Sequence, residues 1–165
     1  MALARGIIIK SKIGFSQKLD QMAYLKIWIH VVWTTKNREP MLTKDIRKKV
    51  FNHIRENAKE KGVYVDFING YVDHVHALIS LKADQTIAKI MQLIKGESSY
   101  WINKQNFIEG KFGWQDEYFA ISVSESHVDL VRNYIKKQET HHGKVTFKEE
   151  YNSMIDKFGF EKFSD

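Results

Sequence analysis

An Asn-Gly pair between two strand-like segments is the feature that most constrains the fold of this chain. Residues 63–68 and 71–79 are rich in β-branched and aromatic residues, which favour strands. Asn69-Gly70 separates the two segments, and this dipeptide is the strongest short-range signal for a hairpin turn. The sequence therefore predicts two neighbouring antiparallel strands, which excludes an all-parallel sheet.

Further strands and helices alternate on either side of this hairpin. Runs of β-formers indicate strands, whereas apolar residues spaced three and four apart indicate amphipathic helices. The additional predicted elements are a strand over residues 26–34, a helix from Thr43 to about Gly62, a helix over residues 85–104, a strand over residues 118–123, a helix from Ser124 or Ser126 to Thr140, and a helix over residues 147–158.

The resulting order βαββαβ predicts an α+β fold, a ferredoxin-like antiparallel sheet with two helices on one face. The additional C-terminal helix after the last strand is free to cover the opposite face. We expect an N-terminal extension over residues 1–21 that is poorly ordered, a single domain over residues 22–158, and a C-terminal tail over residues 159–165. Met22, directly before the first strand, is a hypothetical natural start of the chain.

Charge and cysteine content limit the kinds of partner and metal site. The chain has 26 Lys and Arg against 20 Asp and Glu, a formal charge of +6, which permits a nucleic-acid partner. It has no cysteine, so any metal must be bound by His, carboxylate, amide or solvent. No apolar run approaches the ~20 residues of a membrane span, so no membrane partner is expected.

His74-Val75-His76 lies within the second strand of the predicted hairpin. Side chains alternate along a strand, so both imidazoles leave one face while Val75 packs on the other. Two neutral imidazoles on one strand form half of a metal site. His30, on a strand expected to neighbour the hairpin, is a rival ligand, and we interpret it as a hydrogen-bonded core histidine.

The third predicted helix carries Tyr134 and Gln138, four residues apart and therefore on one helix face. A Gln amide oxygen can be a third ligand, and because it is neutral it leaves the charge of the ion uncompensated. Such an ion polarises a phosphate oxygen, and a tyrosine one turn away could present its hydroxyl to the phosphorus. A phenol with an unperturbed pKa of ~10 needs a cation or base nearby, for which the metal with Lys136 or Lys137 is a candidate.

At these residues the sequence resembles the single-tyrosine HUH transposases, which include insertion-sequence transposases and REP-associated tyrosine transposases. His74-Val75-His76 is similar to the family's His-hydrophobe-His motif, and the segment Tyr134-Ile135-Lys136-Lys137-Gln138 is similar to its tyrosine helix. Residues 28–38 and 112–120 also resemble the family. The resemblance covers residues 22–158, approximately the whole predicted domain.

The resemblance implies a transposase that cleaves and rejoins single-stranded DNA by transesterification. By this resemblance His74, His76 and Gln138 hold Mg²⁺ or Mn²⁺, and Tyr134 is the nucleophile that forms a 5′-phosphotyrosine and releases a 3′-OH. The implied substrate is single-stranded DNA with an imperfect palindrome or hairpin. The family includes homodimers, in which the tyrosine helix serves the partner's metal site, and monomers, and both remain open here. A cytoplasmic protein associated with the nucleoid through DNA is expected.

Six further residues are predicted to contact DNA. Basic side chains supply phosphate contacts, and an indole stacks on an unpaired base. The predicted contacts are Lys36, Arg38, Lys95, Trp114, Gln115 and Lys137. Lysines are more often solvated surface residues, and Trp114 has the alternative of a core position. The acidic pair Glu149-Glu150 is interpreted as ordinary helix-surface charge.

Two other functions remain open at this point. A relaxase-like or replication-initiator nickase would share the metal site and the tyrosine chemistry without mobilising an element. A non-catalytic ferredoxin-like module would bind nucleic acid through aromatic residues on its strands and would need neither metal ligands nor a tyrosine on the last helix.

Overall fold

The computed structural model describes residues 24–142 and 146–158. Its four strands are β1 (Trp28–Thr35), β2 (Tyr64–Gly70), β3 (His74–Ser80) and β4 (Trp114–Val123). They form one sheet in the order β2-β3-β1-β4, in which all neighbours are antiparallel. The predicted extension over residues 1–21 and the predicted tail over residues 159–165 lie outside the described residues.

Two long helices connect the strands, and three shorter helices follow them. α1 (Lys44–Glu60) joins β1 to β2, and α2 (Ile87–Gln105) joins β3 to β4. This order and the strand arrangement confirm the predicted ferredoxin-like fold. After β4 come α3 (Val128–Lys136), α4 (Gln138–His142) and α5 (Phe147–Phe158). Within the described residues, no helix combines the length and the apolar character needed to cross a membrane.

The main hydrophobic core lies between one face of the sheet and the two connecting helices. Alternate residues of the central strands point into it: Val31 and Trp33 of β1, and Val75 and Ala77 of β3, are 1% exposed or less. The helices contribute an apolar stripe each, formed by Val50, Phe51 and Ile54 in α1 and by Ile90, Met91 and Ile94 in α2. Each large aliphatic side chain buried in this layer stabilises the fold by about 1.5–3 kcal/mol.

The opposite face of the sheet is covered by the three C-terminal helices, as predicted for the helix after β4. Leu78 packs with Val128 of α3, and Val32 packs with Phe147 of α5. Both histidines of the His-Val-His motif lie on this face, and the first of them stacks on Phe147. The sheet therefore separates an apolar core from a second layer that contains polar groups.

The predicted turn at Asn69-Gly70 is wrong, although the hairpin itself is present. Both residues pair with β3 inside the ladder, so the chain reverses through residues 71–73. The N–H of Tyr71 donates to the carbonyl of His74 at 3.0 Å and closes the turn. A Cβ on Gly70 would overlap that carbonyl oxygen. The glycine therefore permits the close approach of two backbones, and the asparagine is a strand residue.

The predicted third helix is interrupted between Tyr134 and Gln138. α3 ends at Lys136 and α4 begins at Gln138, so the two residues lie on separate helices. The side-chain amide of Asn69 donates to the carbonyls of Ile135 and Lys136 at 3.0 and 3.1 Å. In a continuous helix these carbonyls would accept the backbone N–H groups that lie four residues further along the chain. A side chain from β2 thus binds these carbonyls at the point where the helix is interrupted.

β4 begins at Trp114, earlier than the predicted residue 118. The indole of Trp114 is 6% exposed and packs edge-on against Trp33, with ring centroids 5.9 Å apart. Its Nε1–H donates to Ser98 Oγ at 2.9 Å, which satisfies the polar atom of the ring inside the core. The predicted stacking of Trp114 on an unpaired base is therefore wrong, because the ring is not accessible.

Replacing Gly70 with alanine tests the turn before the His-Val-His strand. We expect Gly70→Ala to lower the free energy of unfolding by about 1–3 kcal/mol, because the new Cβ overlaps the carbonyl of His74. Gly96→Ala in α2 is the matched control, since no described atom lies within 4 Å of an added Cβ there and alanine favours a helix by up to ~1 kcal/mol. Urea denaturation measures both variants, and equal stabilities would contradict the close approach.

Candidate active site

The His-Val-His motif of β3 places two buried imidazoles side by side. His74 and His76 are 0% exposed, and their ring centroids lie 5.2 Å apart. The Nδ1–H of His74 donates to the carboxylate of Asp73 at 2.6 Å. A carboxylate in this position orients the ring and leaves Nε2 with the lone pair that a metal requires.

The second histidine is held by another imidazole, that of His30. The Nε2 atom of His30 lies 3.1 Å from Nδ1 of His76. Burial lowers the pKa of His30 to about 4, so the ring is neutral at physiological pH and shares one hydrogen bond with His76. This contact orients the His76 ring, and with the proton on its Nδ1 the Nε2 atom has the lone pair for a ligand bond. The contact and the burial of His30 confirm its interpretation as a hydrogen-bonded core histidine.

Tyr134 lies over this pair of rings from α3. Its ring is edge-on to His76, with centroids 5.7 Å apart, and to His30, with centroids 6.0 Å apart. It also lines a cavity of about 960 Å³ between the sheet and the C-terminal helices, together with His30 and Glu150.

Gln138 is the first residue of α4 and is fully buried. Asn69, which binds the backbone two and three residues before it, is the direct cross-strand neighbour of His76. Arg47 of α1, itself buried, forms an ion pair with Glu139 at 2.6 Å. These two contacts hold the start of α4 against the sheet beside the histidine motif, and the role of Gln138 as a ligand remains a prediction.

Glu150 of α5 is a site residue that the sequence analysis missed. It was interpreted as surface charge, but it is 5% exposed and its Oε1 lies 3.6 Å from Nε2 of His76. One ligand atom each from His74, His76 and Glu150 lies within 4.8 Å of the others. The stripe Phe147, Glu150, Tyr151 and Met154 has the spacing of a buried helix face, which is the sequence signal that indicates its burial.

The carboxyl group of Glu150 is in an unfavourable position for a negative charge. Burial, and then the charge of Asp73, raise the pKa of Glu150 to about 7. A cation between these groups would offset both effects. Two imidazole nitrogens and a carboxylate oxygen are a donor set that divalent transition metals accept, so the residues present fit a bound divalent ion.

α5 is held over the histidines by aromatic and cationic contacts. The ring of Phe147 stacks on His74 with centroids 4.4 Å apart, and Tyr151 packs edge-on against Phe119 of β4 at 5.0 Å. The guanidinium of Arg38, a predicted DNA contact, lies 5.3 Å from the centroid of Phe147 and 4.9 Å from that of Tyr151. Arg38 therefore docks α5 in this structure.

The other predicted DNA contacts lie mostly around the start of β4. Lys36 is 3.7 Å from the carboxylate of Asp116, and Lys95 donates to the carbonyl of the same residue at 2.6 Å. Burial lowers the pKa of Lys95. Gln115 accepts the backbone N–H of Asn37 at 3.1 Å. Lys36, Lys95 and Gln115 thus form one polar cluster, whereas Lys137 is exposed between α3 and α4, and their contact with DNA remains a prediction.

A family model described as "Transposase IS200 like" matches residues 23–138. The chain belongs to the IS200-like transposase family. This confirms the resemblance to the single-tyrosine HUH transposases. The matched segment contains His74, His76, Tyr134 and Gln138, whereas α5 lies beyond it.

Individual relatives agree with this assignment. The ISDra2 transposase TnpA of Deinococcus radiodurans is 27% identical over 115 residues, which are 66% of this chain and 81% of the relative. A transposase structure from Deinococcus radiodurans R1 matches with a TM-score of 0.57 and 22% identity, over 71% of this chain and 94% of that one. A REP-associated tyrosine transposase bound to a REP hairpin matches with a TM-score of 0.56 and 17% identity, over 74% of this chain and 73% of that one. At these identities the two solved structures show a shared fold.

The raised pKa of Glu150 predicts a pH-dependent cost to the stability of the metal-free protein. Between the ordinary pKa of 4.5 and about 7, the folded state binds this proton more tightly than the unfolded state. The contribution of Glu150 to stability therefore falls as pH rises through this window and then levels off. We expect Glu150→Gln to be more stable than the wild type at pH 8 by up to about 3 kcal/mol, with the difference vanishing near pH 4.

Urea denaturation in the presence of EDTA at both pH values measures this difference. The comparison between variants is needed because the lowered pKa of His30 acts in the opposite direction and is common to both proteins. Among the described residues, the charged and titratable groups around Glu150 include Asp73 in the turn, His74 and His76 in β3, His30 in β1 and Tyr134 in α3. A Glu150→Gln protein that is equally stable at pH 8 would show that the carboxylate carries no penalty.

Proposed function

We propose that this IS200-like transposase cleaves and rejoins single-stranded DNA through a covalent bond between the DNA and Tyr134. The phenolic oxygen attacks a backbone phosphorus, the bond from phosphorus to the 3′ oxygen breaks, and a 5′-phosphotyrosine forms. The phenolic proton is passed, directly or through solvent, to the leaving oxygen, which becomes a free 3′-OH. Attack by the 3′-OH of another strand reverses these steps, so rejoining needs no ATP.

The position of Tyr134 is the observation that supports this proposal most directly. A tyrosine whose only role is packing could lie on any apolar surface of the sheet. Its ring lies instead beside His76 and at the wall of a cavity that is large enough for a nucleotide. The family match spans the tyrosine and the histidines together.

His74, His76 and Gln138 are the proposed ligands of Mg²⁺ or Mn²⁺. The bound ion would supply positive charge that draws electron density from a phosphate oxygen. Asp73 lies at Nδ1 of His74 and His30 at Nδ1 of His76, and with these partners accepting, both rings would present Nε2 to the ion. The buried setting excludes water from the histidines, which strengthens their interaction with charge.

The proposed substrate is single-stranded DNA that carries an imperfect palindrome or hairpin. The REP-associated relative of similar fold is bound to a REP hairpin, and the charge of +6 favours a polyanionic partner. Lys36, Arg38, Lys95, Gln115 and Lys137 remain the proposed contacts. Action on such DNA would place the protein in the cytoplasm with the nucleoid, as a monomer or as a homodimer.

Replacing Tyr134 with phenylalanine tests the proposed nucleophile. The ring and its packing on His76 are kept, whereas the hydroxyl is removed. We expect the variant to form less than about 1% of the covalent product. The assay incubates the protein with labelled single-stranded oligonucleotides taken from palindromes beside its coding region, with MgCl₂ or MnCl₂, and detects an SDS-resistant adduct. Tyr100→Phe is the matched control, because Tyr100 is exposed on α2 and should retain full adduct formation.

Two results would contradict this assignment. An undiminished adduct from Tyr134→Phe would remove Tyr134 as the nucleophile, and an adduct lost equally from Tyr100→Phe would indicate a general defect. The same reaction also separates transposition from nicking. Transfer of the cleaved strand to a second oligonucleotide is expected of the transposase, whereas religation to the original strand alone would favour the nickase.

A further inference from the structure

The last described helix, α5, contributes to the histidine site although it lies outside the segment that the family model matches. The match ends at residue 138, and α5 begins at Phe147. Its buried face nevertheless contacts both histidines of β3, with Phe147 on His74 and Glu150 beside His76. The chemistry of that face is therefore a property of this chain that the family assignment does not supply.

We propose that Glu150 is a ligand of the metal ion held by His74 and His76, so that docking of α5 completes the site. This inference rests on the metal site of the proposed function and extends its ligand set. It predicts a site with two imidazoles, one carboxylate and the Gln138 amide, which come from one strand and two separate helices.

The spacing of the ligand atoms supports this proposal. Metal–ligand bonds to nitrogen and oxygen are about 2.0–2.3 Å long, so two ligands of one ion lie about 3–4 Å apart. Oε1 of Glu150 and Nε2 of His76 are 3.6 Å apart, and the three-residue group that includes His74 spans no more than 4.8 Å. Only small side-chain movements would bring these atoms into one coordination sphere.

The start of α5 distinguishes Glu150 from the neighbouring Glu149. Thr146 and Glu149 form a capping box: the N–H of Thr146 donates to the Glu149 carboxylate at 2.7 Å, and the N–H of Glu149 donates to Thr146 Oγ1 at 3.3 Å. This arrangement defines where the helix begins. Phe147 and Glu150, three residues apart, consequently share the face that lies on the histidines.

The charge of the site also favours a carboxylate ligand. His74, His76 and Gln138 are neutral ligands, so with them alone a divalent ion would keep its full charge in a buried position. The carboxylate of Glu150 would offset part of that charge. In return, the ion would offset the repulsion between the carboxylates of Glu150 and Asp73.

Titration of the full-length protein with MnCl₂ tests the proposal directly. Isothermal calorimetry gives the dissociation constant, and electron paramagnetic resonance of free Mn²⁺ counts the bound ions independently of any DNA reaction. We expect Glu150→Gln to weaken Mn²⁺ binding about tenfold or more, and Glu150→Asp to weaken it less because the charge is kept. Asp156→Asn, an exposed acidic residue on the same helix, is the matched control and should bind as the wild type does.

The possible outcomes separate this inference from the proposed function. Mn²⁺ binding that depends on His76 but is equal or tighter in Glu150→Gln would overturn the ligand assignment, and would indicate that Glu150 occupies the metal position when no metal is bound. No Mn²⁺ binding by the wild type, or binding unaffected by His76→Ala, would overturn the metal site of both proposals. Circular dichroism and thermal denaturation of each variant show whether a loss of binding reflects a loss of folding.

Discussion

The alternation of side chains along β3 is the constraint on which the rest of the structure depends. Val75, Ala77 and Ile79 fill the core beneath α1 and α2, while His74, His76 and Leu78 point to the other face. Because β3 is central in the sheet, the backbone of the motif is fixed by hydrogen bonds on both sides. The two histidines are therefore held by the same packing that stabilises the fold.

Neighbouring strands determine how those histidines are oriented. β1 brings His30 to the Nδ1 side of His76, and the turn before β3 brings Asp73 to the Nδ1 side of His74. β2 contributes Asn69, which donates to backbone carbonyls at the end of α3, between the helix of Tyr134 and that of Gln138. The close approach of the backbones of Gly70 and His74 fixes the position of the turn, and therefore that of Asp73. Residues that would not contact the substrate thus set the geometry of the residues that would contact it.

The C-terminal helices form a cavity on this polar face. α3 supplies Tyr134 to the cavity, and α5 lines its other side with Glu150 and Met154. This arrangement buries the carboxylate of Glu150 close to Asp73, and both the burial and the charge of Asp73 raise the pKa of Glu150. An ion at the site would convert that repulsion into attraction. The same helix is anchored by Arg38, whose guanidinium lies over Phe147 and Tyr151, so a loop that follows β1 contributes to the site from a distance.

Much of this arrangement follows from local patterns in the sequence. Strand and helix periodicity predicted the βαββαβ order, the shared face of the two histidines, and α5 with its observed bounds, because each depends on residues that are close together in the chain. The Asn-Gly pair indicated the hairpin but misplaced its turn. The burial of Trp114 and Glu150, the contact of His30 with His76 and the contact of Asn69 with the end of α3 depend on residues tens of positions away. Hydrogen bonds and burial at those places are decided by which element packs opposite, and only the tertiary structure specifies that.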